Sequence, residues 1–430
     1  MKPTYKKLIV IFAVFFLFIT TFTSVYLALF KRPYLTIIGP VEMADGIGRQ
    51  SVEIIDALKE DFPIGFLQTC EPNFVDVPKK VKKIIKNKYR PFGKVVLFFE
   101  TVWSPEKEHY QILRTPKNKD QIRFAYSMFE ASKIPQQWVG ILNQYFDGVV
   151  VPDPYHVKVY EDSGVIIPVF VLPLGLNLKP LLESSLKEKK QDPFIFGNFG
   201  SGISRKNQAL LVRAFYQAFG DNPSVKLKIN ARYAHPDVKK EIEDFIKMHE
   251  CNNISFSIKS LKGSEYIEEL KSLDCLVYLS KGEGFSIQPR EALALGIPVM
   301  LTDNTAHTTL CKSGLVKKIP SLIEEPALFT WGTILKEAVA IGKQYNCDKA
   351  DVIEGLKEVY SNYETYLKKN QQMRSWVRKY DYDEAKIFYQ ALLQPKKIIL
   401  STKNKITKDA LYTNSKDLIN KYEKILKKGF

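Results

Sequence analysis

The chain has 430 residues, 45% of them hydrophobic, and 63 basic against 47 acidic side chains give it a net charge of +16. That length allows two to three domains with a large core, and the apolar content excludes a disordered chain. The charge attracts anionic partners, but no helix-turn-helix, RNP, KH or zinc-finger pattern accompanies it, which argues against nucleic acid.

Residues 1–32 differ from the rest. Lys2, Lys6 and Lys7 precede Leu8 to Phe30, an uncharged and mostly apolar run of 23 residues closed by Lys31 and Arg32. As a helix this run is long enough to span a bilayer. It lacks a convincing small-x-small cleavage site, so a retained signal anchor is expected rather than a cleaved peptide. The five cysteines, Cys70, Cys251, Cys275, Cys311 and Cys347, are odd in number and show neither CxxC nor zinc spacing. They read as free thiols.

Tyr34 to Ile38 reads as a β-branched strand, followed by the loop Gly39-Pro-Val-Glu-Met-Ala-Asp-Gly46-Ile-Gly48 and an apolar-periodic helix from Ser51 to Leu58. Strand, glycine loop and helix make a Rossmann-type opening, although the spacing is not GxGxxG. A basic cluster, Lys79 to Arg90, comes next, then a strand at Val95 to Phe99 ending in Glu100. Ser127 to Asn143 contains Glu130 and a Pro-Gln-Gln-Trp helix start, and leads to a strand within Phe146 to Pro152. After the strand beginning at Val169, Lys179 to Asp192 is charged and lacks an apolar period. That segment reads as a linker between domains.

Phe194 to Gly200 opens a second domain, followed by Ser201-Gly-Ile-Ser-Arg-Lys-Asn207 and an amphipathic helix from Gln208 to Phe219. A strand entering a glycine loop with Arg205 and Lys206 before a helix can cradle phosphate through backbone amides and two cations. The alternative is a surface loop with two solvated charges. Val225 to Asn230 alternates as a strand, and Asn253-Ile-Ser255 is a lone glycosylation sequon. Leu273 to Leu279 reads as a buried strand. It enters Ser280-Lys-Gly-Glu-Gly-Phe-Ser-Ile-Gln-Pro-Arg-Glu-Ala-Leu-Ala-Leu-Gly-Ile-Pro-Val299. There Glu283 and Glu291, eight apart, bracket a loop and a helix start at a strand's carboxyl end, where open α/β sheets bind ligands. Ionised carboxylates offer only acceptors, which suits a ligand rich in hydroxyls. The bland alternative is an acid stabilised by a helix N-terminus.

Glu-Gly-Phe with a second Glu eight positions after the first, then Ala-Leu-Ala-Leu-Gly-Ile-Pro-Val, resembles the signature of the family-four (group 1) retaining glycosyltransferases. The resemblance runs from Tyr34 to Leu393 and is strongest from Phe194 to Thr302. It implies an α/β protein with two facing Rossmann-like domains, the GT-B fold, here with an N-terminal transmembrane helix. The expected division is an anchor at 1–32, an acceptor domain at 33–178, a linker at 179–192 and a donor-binding domain at 193–370. A closing helix at 371–395 would return to the first domain, and a basic tail occupies 396–430. By residue match, Glu283 would contact the donor sugar and Glu291 the ribose hydroxyls. Lys206 matches the family's phosphate-binding lysine, and Arg205 stands in for an arginine that Asn198 replaces. Asn198, Gly200, Gly284, Phe285 and Ser286 would line the donor, with Thr302 and Asn304 nearby. Gly46 and Gly48 would let backbone amides approach donor phosphate or acceptor. Glu130 is either a polar contact in the cleft or a satisfied structural carboxylate. None of the five histidines stands in a motif that identifies a base. No metal or cofactor is implied, and Asp381-Tyr-Asp383 lies far from the donor signature.

These readings describe a membrane-anchored retaining glycosyltransferase that moves a sugar from a nucleotide-diphosphate sugar to a glycan or lipid-linked acceptor. The basic residues flanking the anchor weakly favour an exported body, while a cytosolic supply of donor argues the other way. Two rivals remain: a catalytically inactive, membrane-tethered sugar-nucleotide-binding protein, and a membrane-surface interaction protein working through the tail. That tail carries ten lysines against three acids, and Leu418, Tyr422, Ile425 and Leu426 fall on one face of a potential helix.

Overall fold

A computed structural model describes residues 33–87, 92–100, 102, 116–117, 121–261, 263–329 and 338–393. The apolar run Leu8 to Phe30, the end of the basic cluster at Lys88 to Arg90, His109 and the tail from 394 onwards lie outside the described residues. Among the described residues no helix is long and apolar enough to cross a membrane.

The first domain alternates strand and helix: β1 (Leu35–Gly39), α1 (Gly46–Leu58), β2 (Ile64–Gln68), α2 (Lys79–Ile85), β3 (Val95–Phe98), β4 (Ile122–Tyr126), α3 (Gln136–Tyr145), β5 (Gly148–Val151), α4 (Tyr155–Ser163) and β6 (Val169–Val171). The six strands are parallel in the order β2-β1-β3-β4-β5-β6. Every residue of β1, β3, β4, β5 and β6 is buried. Helices covering both faces of a parallel sheet produce such uninterrupted apolar runs. The chain reverses direction across the sheet between β1 and β3, so this domain's switch point lies at the ends of those two strands.

One boundary differs from the sequence reading. The first helix starts at Gly46, so Gly46 and Gly48 sit in its first turn rather than in a loop. Asp45 is the reason: its carboxylate accepts from Ile47 N at 3.1 Å and Gly48 N at 3.2 Å, capping the helix. Gly48 is needed for close approach, because a Cβ there would lie 2.6 Å from the backbone nitrogen of Glu42.

The second domain follows a short α5 (Lys179–Leu182) and comprises β7 (Phe194–Phe199), α6 (Gln208–Phe219), β8 (Val225–Ala231), α7 (Pro236–Met248), β9 (Ile254–Ile258), α8 (Gly263–Lys271), β10 (Cys275–Tyr278), α9 (Ile287–Ala294), β11 (Val299–Thr302), α10 (His307–Cys311) and β12 (Lys317–Ile319). Its parallel strands run β12-β11-β10-β7-β8-β9, the order of a dinucleotide-binding sheet, with the switch point between β7 and β10. The segment expected as a linker is tied to this domain: Lys187 pairs with the buried Asp274 at 3.0 Å, and Gln191 N donates to the same carboxylate at 3.0 Å. Asn253, the sequon residue, is buried, and its amide donates to the carbonyls of Gly220, Asn222 and Val225 at 2.9–3.1 Å. A glycan has no access there. None of the five cysteines is in a disulfide.

An antiparallel hairpin, β13 (Ile323–Phe329) and β14 (Val339–Asn346), was not expected from sequence. It leaves the second domain and packs on the first. Ala327 is fully buried in a core cluster made mostly of first-domain residues, and the Phe329 ring lies 4.7 Å from that of Phe129. Ser132 and Lys343 exchange hydrogen bonds at 3.0 and 2.9 Å. α11 (Lys349–Ser361) and α12 (Tyr363–Leu367) then complete the second domain. The expected single closing helix is two, α13 (Asn370–Val377) and α14 (Tyr382–Leu393), broken where the Asp381 carboxylate accepts from Leu178 N at 2.9 Å and Asp383 N at 3.0 Å. α14 braces the first domain through Tyr389, which donates to Pro173 O and accepts from Gly175 N, both at 2.9 Å.

Candidate functional site between the domains

Adjacent strands bring distant residues together at the second switch point. β7 ends at Phe199, and the chain passes Gly200 into a 3-10 turn, Ser204–Lys206. Asn207, in the left-handed region at φ 58°, then turns it into α6. β10 ends beside β7 at Tyr278, and the loop to α9 carries Glu283. Lys206 Nζ ion-pairs with Glu283 Oε1, and Arg205 Nη1 lies 3.5 Å from the same oxygen. Arg205 also donates to the carbonyl of Gly282 and, across the domain boundary, to Glu130 Oε1 at 3.1 Å.

Burial of these side chains makes the pairing strong and the charges interdependent. Burial alone would raise the Glu283 carboxyl, yet Lys206, Arg205 and His307 overcome it and hold the group well below the usual carboxylate range. Burial lowers Lys206, with Glu283 opposing the shift. The cluster is two cations shared between two carboxylates, Glu283 and, across the domain boundary, Glu130. Its guanidinium and ammonium donors suit an anion that displaces one of those carboxylates.

Glu291, 2% exposed at the third position after Gln288 in α9, has both oxygens occupied. Arg49, on α1 of the first domain, pairs with Oε1 at 2.7 Å, and the Tyr266 hydroxyl donates to Oε2 at 2.6 Å. Arg49 also holds Glu53 at 2.6 Å, so a buried ion network crosses the cleft. Ser286, with φ 67°, bonds His307 Nε2 through its hydroxyl at 2.7 Å, while His307 Nδ1 lies 3.1 Å from Thr302 O. This fixes the tautomer as Nδ1–H donating to the carbonyl and Nε2 accepting from serine. Burial lowers the His307 ring to about 4. It is neutral at physiological pH.

Gly284 and Gly282 face the first domain: a Cβ on Gly284 would lie 3.0 Å from Met128, and one on Gly282 would collide with the Glu130 carbonyl oxygen. Gly46 is nearest Ile287 across the cleft, and Gly200 lies beside Tyr278. Phe285 is buried under the Arg290 guanidinium, 3.6 Å from its ring centroid, and Arg290 donates to the carbonyls of Phe285 and Ser286. Asn198 is an internal brace: its amide donates to Val277 O at 2.7 Å and its carbonyl accepts from Gln208 at 2.8 Å. Thr302 and Asn304 both donate to Ser280 O, at 2.6 and 3.0 Å, and so shape the loop from beneath. Asp381, already engaged in breaking the closing helix, is remote from the cluster in role as well as sequence.

Sequence reasoning passed over Arg49, Tyr266, Tyr278 and His307. Arg49 directly follows the Gly46-Ile-Gly48 step, a signal for a cation near the cleft, and His307 follows the strand ending at Thr302 by five residues. His156, in the first domain, is fully buried between Asp153 O at 3.3 Å and Phe129 O at 3.0 Å, so it positions the segment carrying Glu130.

Residues 183–316 match the sequence model of a family described as glycosyl transferases group 1. An uncharacterized glycosyltransferase of Methanocaldococcus jannaschii is 29% identical over 133 residues, 31% of this chain and 30% of that protein. An uncharacterized protein of Sulfolobus islandicus rod-shaped virus 1 is 21% identical over 310 residues, 69% of this chain and 83% of that protein. Among solved structures, Anabaena HepE in complex with UDP and glucose superposes with a TM-score of 0.62 at 11% identity, over 86% of this chain and 100% of that one. The structural likeness establishes the two-domain GT-B architecture, and the family match supports a group 1 glycosyltransferase.

Proposed function

We propose that the chain is a membrane-anchored, metal-independent, retaining glycosyltransferase that takes a sugar from a nucleoside-diphosphate sugar and passes it to a glycan or lipid-linked acceptor. The observation that carries this reading is the buried Lys206–Arg205–Glu283 cluster at the β7/β10 switch point, facing the first domain. Transfer breaks the bond between the donor's anomeric carbon and a diphosphate oxygen, which keeps the electron pair. The acceptor hydroxyl oxygen bonds the same carbon, and its proton passes to the departing diphosphate. Lys206 and Arg205 stabilise the charge that grows on that diphosphate, a preorganised contribution made by largely buried side chains. Glu283, kept ionised, accepts from sugar hydroxyls and sets where the sugar lies. Solved relatives of the same fold are described in complex with UDP, with UDP-glucose and with GlcNAc, which supports a uridine donor and a glycan acceptor. The acceptor would approach from the first domain, whose Glu130 segment packs against the Gly282–Gly284 loop. The exposed lysines of α2, Lys79, Lys80, Lys83 and Lys86, would add attraction to anionic lipid beside the anchor.

A screen of nucleotide sugars by thermal shift tests the reading, with Glu283→Ala and Lys206→Ala as controls. It expects stabilisation by one donor class that both variants lose; no shift with any donor would refute it. NMR of the product's anomeric carbon then decides retention. Removal of residues 1–32 should release the protein from the membrane fraction, and continued membrane residence would exclude the anchor. One observation favours a second reading, binding without turnover: Asn198, standing where the family's arginine is expected, is used up in internal bonds to Val277 and Gln208. Donor binding with no transfer to any acceptor would select that reading.

A further inference from the structure

The floor of the Lys206–Glu283 site holds a hydroxyl that no described residue uses. Tyr278 ends β10 at the switch point and is 1% exposed, and its phenolic oxygen has no hydrogen-bond partner among the described residues. Other buried polar atoms share that lack, Gln50 and Tyr382 among them. Tyr278 differs in where it stands. A Cβ built on Gly200, in the loop leaving β7, would lie 3.7 Å from its oxygen, and Lys206 Nζ stands 5.9 Å from its ring centroid. Burial first, then the charges of Glu283 and Glu291, push its ionisation well above the usual phenol range. It therefore remains a hydrogen-bond donor at any physiological pH. A buried hydroxyl without a partner is a standing destabilisation that phenylalanine at the same place would avoid. The strand otherwise asks only for an apolar side chain, as its neighbours Leu276, Val277 and Leu279 show.

We propose that Tyr278 is a third side chain on the donor's diphosphate, its hydroxyl donating to a diphosphate oxygen of the nucleoside-diphosphate sugar held by Lys206 and Arg205. The inference rests on the function proposed above and adds a contact to it. A donor hydroxyl beside two cations and the glycine loop complements anionic oxygens. The two glutamates, which only accept, complement sugar hydroxyls instead. The phenol would thus help discriminate diphosphate from monophosphate, a selection the cations alone make only by total charge.

Calorimetric titration of the full-length protein and Tyr278→Phe with UDP, GDP, ADP and the matching monophosphates tests this. For the tightest diphosphate, the variant should bind roughly ten- to a hundredfold more weakly, the range for one hydrogen bond to a charged group. Monophosphate affinity should change by less than about threefold. Thermal unfolding without nucleotide should stay unchanged or shift upward, since no protein partner is lost. Diphosphate affinity within about twofold of wild type would overturn the proposal and leave the hydroxyl to a buried water. Equal losses for diphosphate and monophosphate, or a lower unfolding temperature without nucleotide, would overturn it as well. If wild type binds none of the nucleotides, the donor reading itself fails, a result separable from normal wild-type binding with an unaffected variant.

Discussion

The two sheets end in equivalent places and are equipped oppositely. At the β7/β10 switch point of the second domain, Lys206 and Arg205 bring two buried cations together beside Glu283 and Glu130. At the β1/β3 switch point of the first, the start of α1 is already occupied: Asp45 accepts from the amides of Ile47 and Gly48, and Arg232 of the second domain pairs with the same Asp45 at 3.0 Å. Glu100, at the end of β3, holds Thr69 at 2.7 Å. Topology supplies two crevices, and the residues placed in them decide which receives an anion. A phosphate approaching α1 would meet a carboxylate where the helix would otherwise offer amides. The start of α1 is therefore the poorer of the two places for a phosphate.

The strongest test of that asymmetry is removal of its cation. Lys206→Ala should lower the transfer rate by roughly a thousandfold, the upper range for losing one preorganised stabilising group, as measured by kcat with saturating donor. A loss below about tenfold would equate the two crevices.

Acid should weaken the second crevice through His307. Its folded value of about 4 lies below the ordinary 6.5, so between these values the unfolded chain binds a proton that the folded chain refuses. Stability therefore falls as pH drops from about 6.5 to 4, by on the order of 3 kcal/mol, and Glu283 adds a further loss below its ordinary value near 4.5. The charges bearing on His307 are Glu283, Lys206 and Arg290. Urea unfolding at a series of pH values should show this slope, flattened above pH 4.5 in His307→Gln. An unchanged slope in the variant would assign the acid sensitivity to another group.

Gly282→Ala should cost roughly a hundredfold in kcat/KM, because its methyl would strike the Glu130 carbonyl and hold the crevices apart. Small-angle scattering should show a larger radius than wild type. Retained activity would mean that this approach is not needed for transfer. Asp45→Ala should produce the smallest effect, about 1 kcal/mol of stability from a lost helix cap, seen as a lower unfolding midpoint. Its donor affinity should stay within about threefold of wild type. A large gain in nucleotide affinity would show that the first crevice binds phosphate once uncapped.

What the sequence showed depended on whether the signal was local. The helix Gln208–Phe219 was legible to the residue because its apolar period is clean and its boundary loop is short. Glu283 and Lys206 could be assigned to one site in advance because each stands in a segment that resembles a family pattern. Asn198 was misleading: its place in that pattern suggested a donor contact, yet its bonds to Val277 and Gln208 are internal. Gly46 and Gly48 looked like a loop because glycines usually break helices, whereas the Asp45 cap starts the helix there. The hairpin Ile323–Asn346 stayed hidden because its strands carry charges and a proline, and its burial comes from the other domain. The contact of Arg49 with Glu291, which Tyr266 shares, lies beyond any local reading, since the partners are far apart in the chain and meet only across the domain boundary.

The central claim is that the donor's diphosphate sits at the β7/β10 switch point. Calorimetric titration of UDP-sugar into wild type, Lys206→Ala and Asp45→Ala tests it in one experiment. The account predicts binding to wild type and to Asp45→Ala, with a loss of at least about tenfold in Lys206→Ala. Undiminished binding to Lys206→Ala, with binding lost in Asp45→Ala, would contradict it.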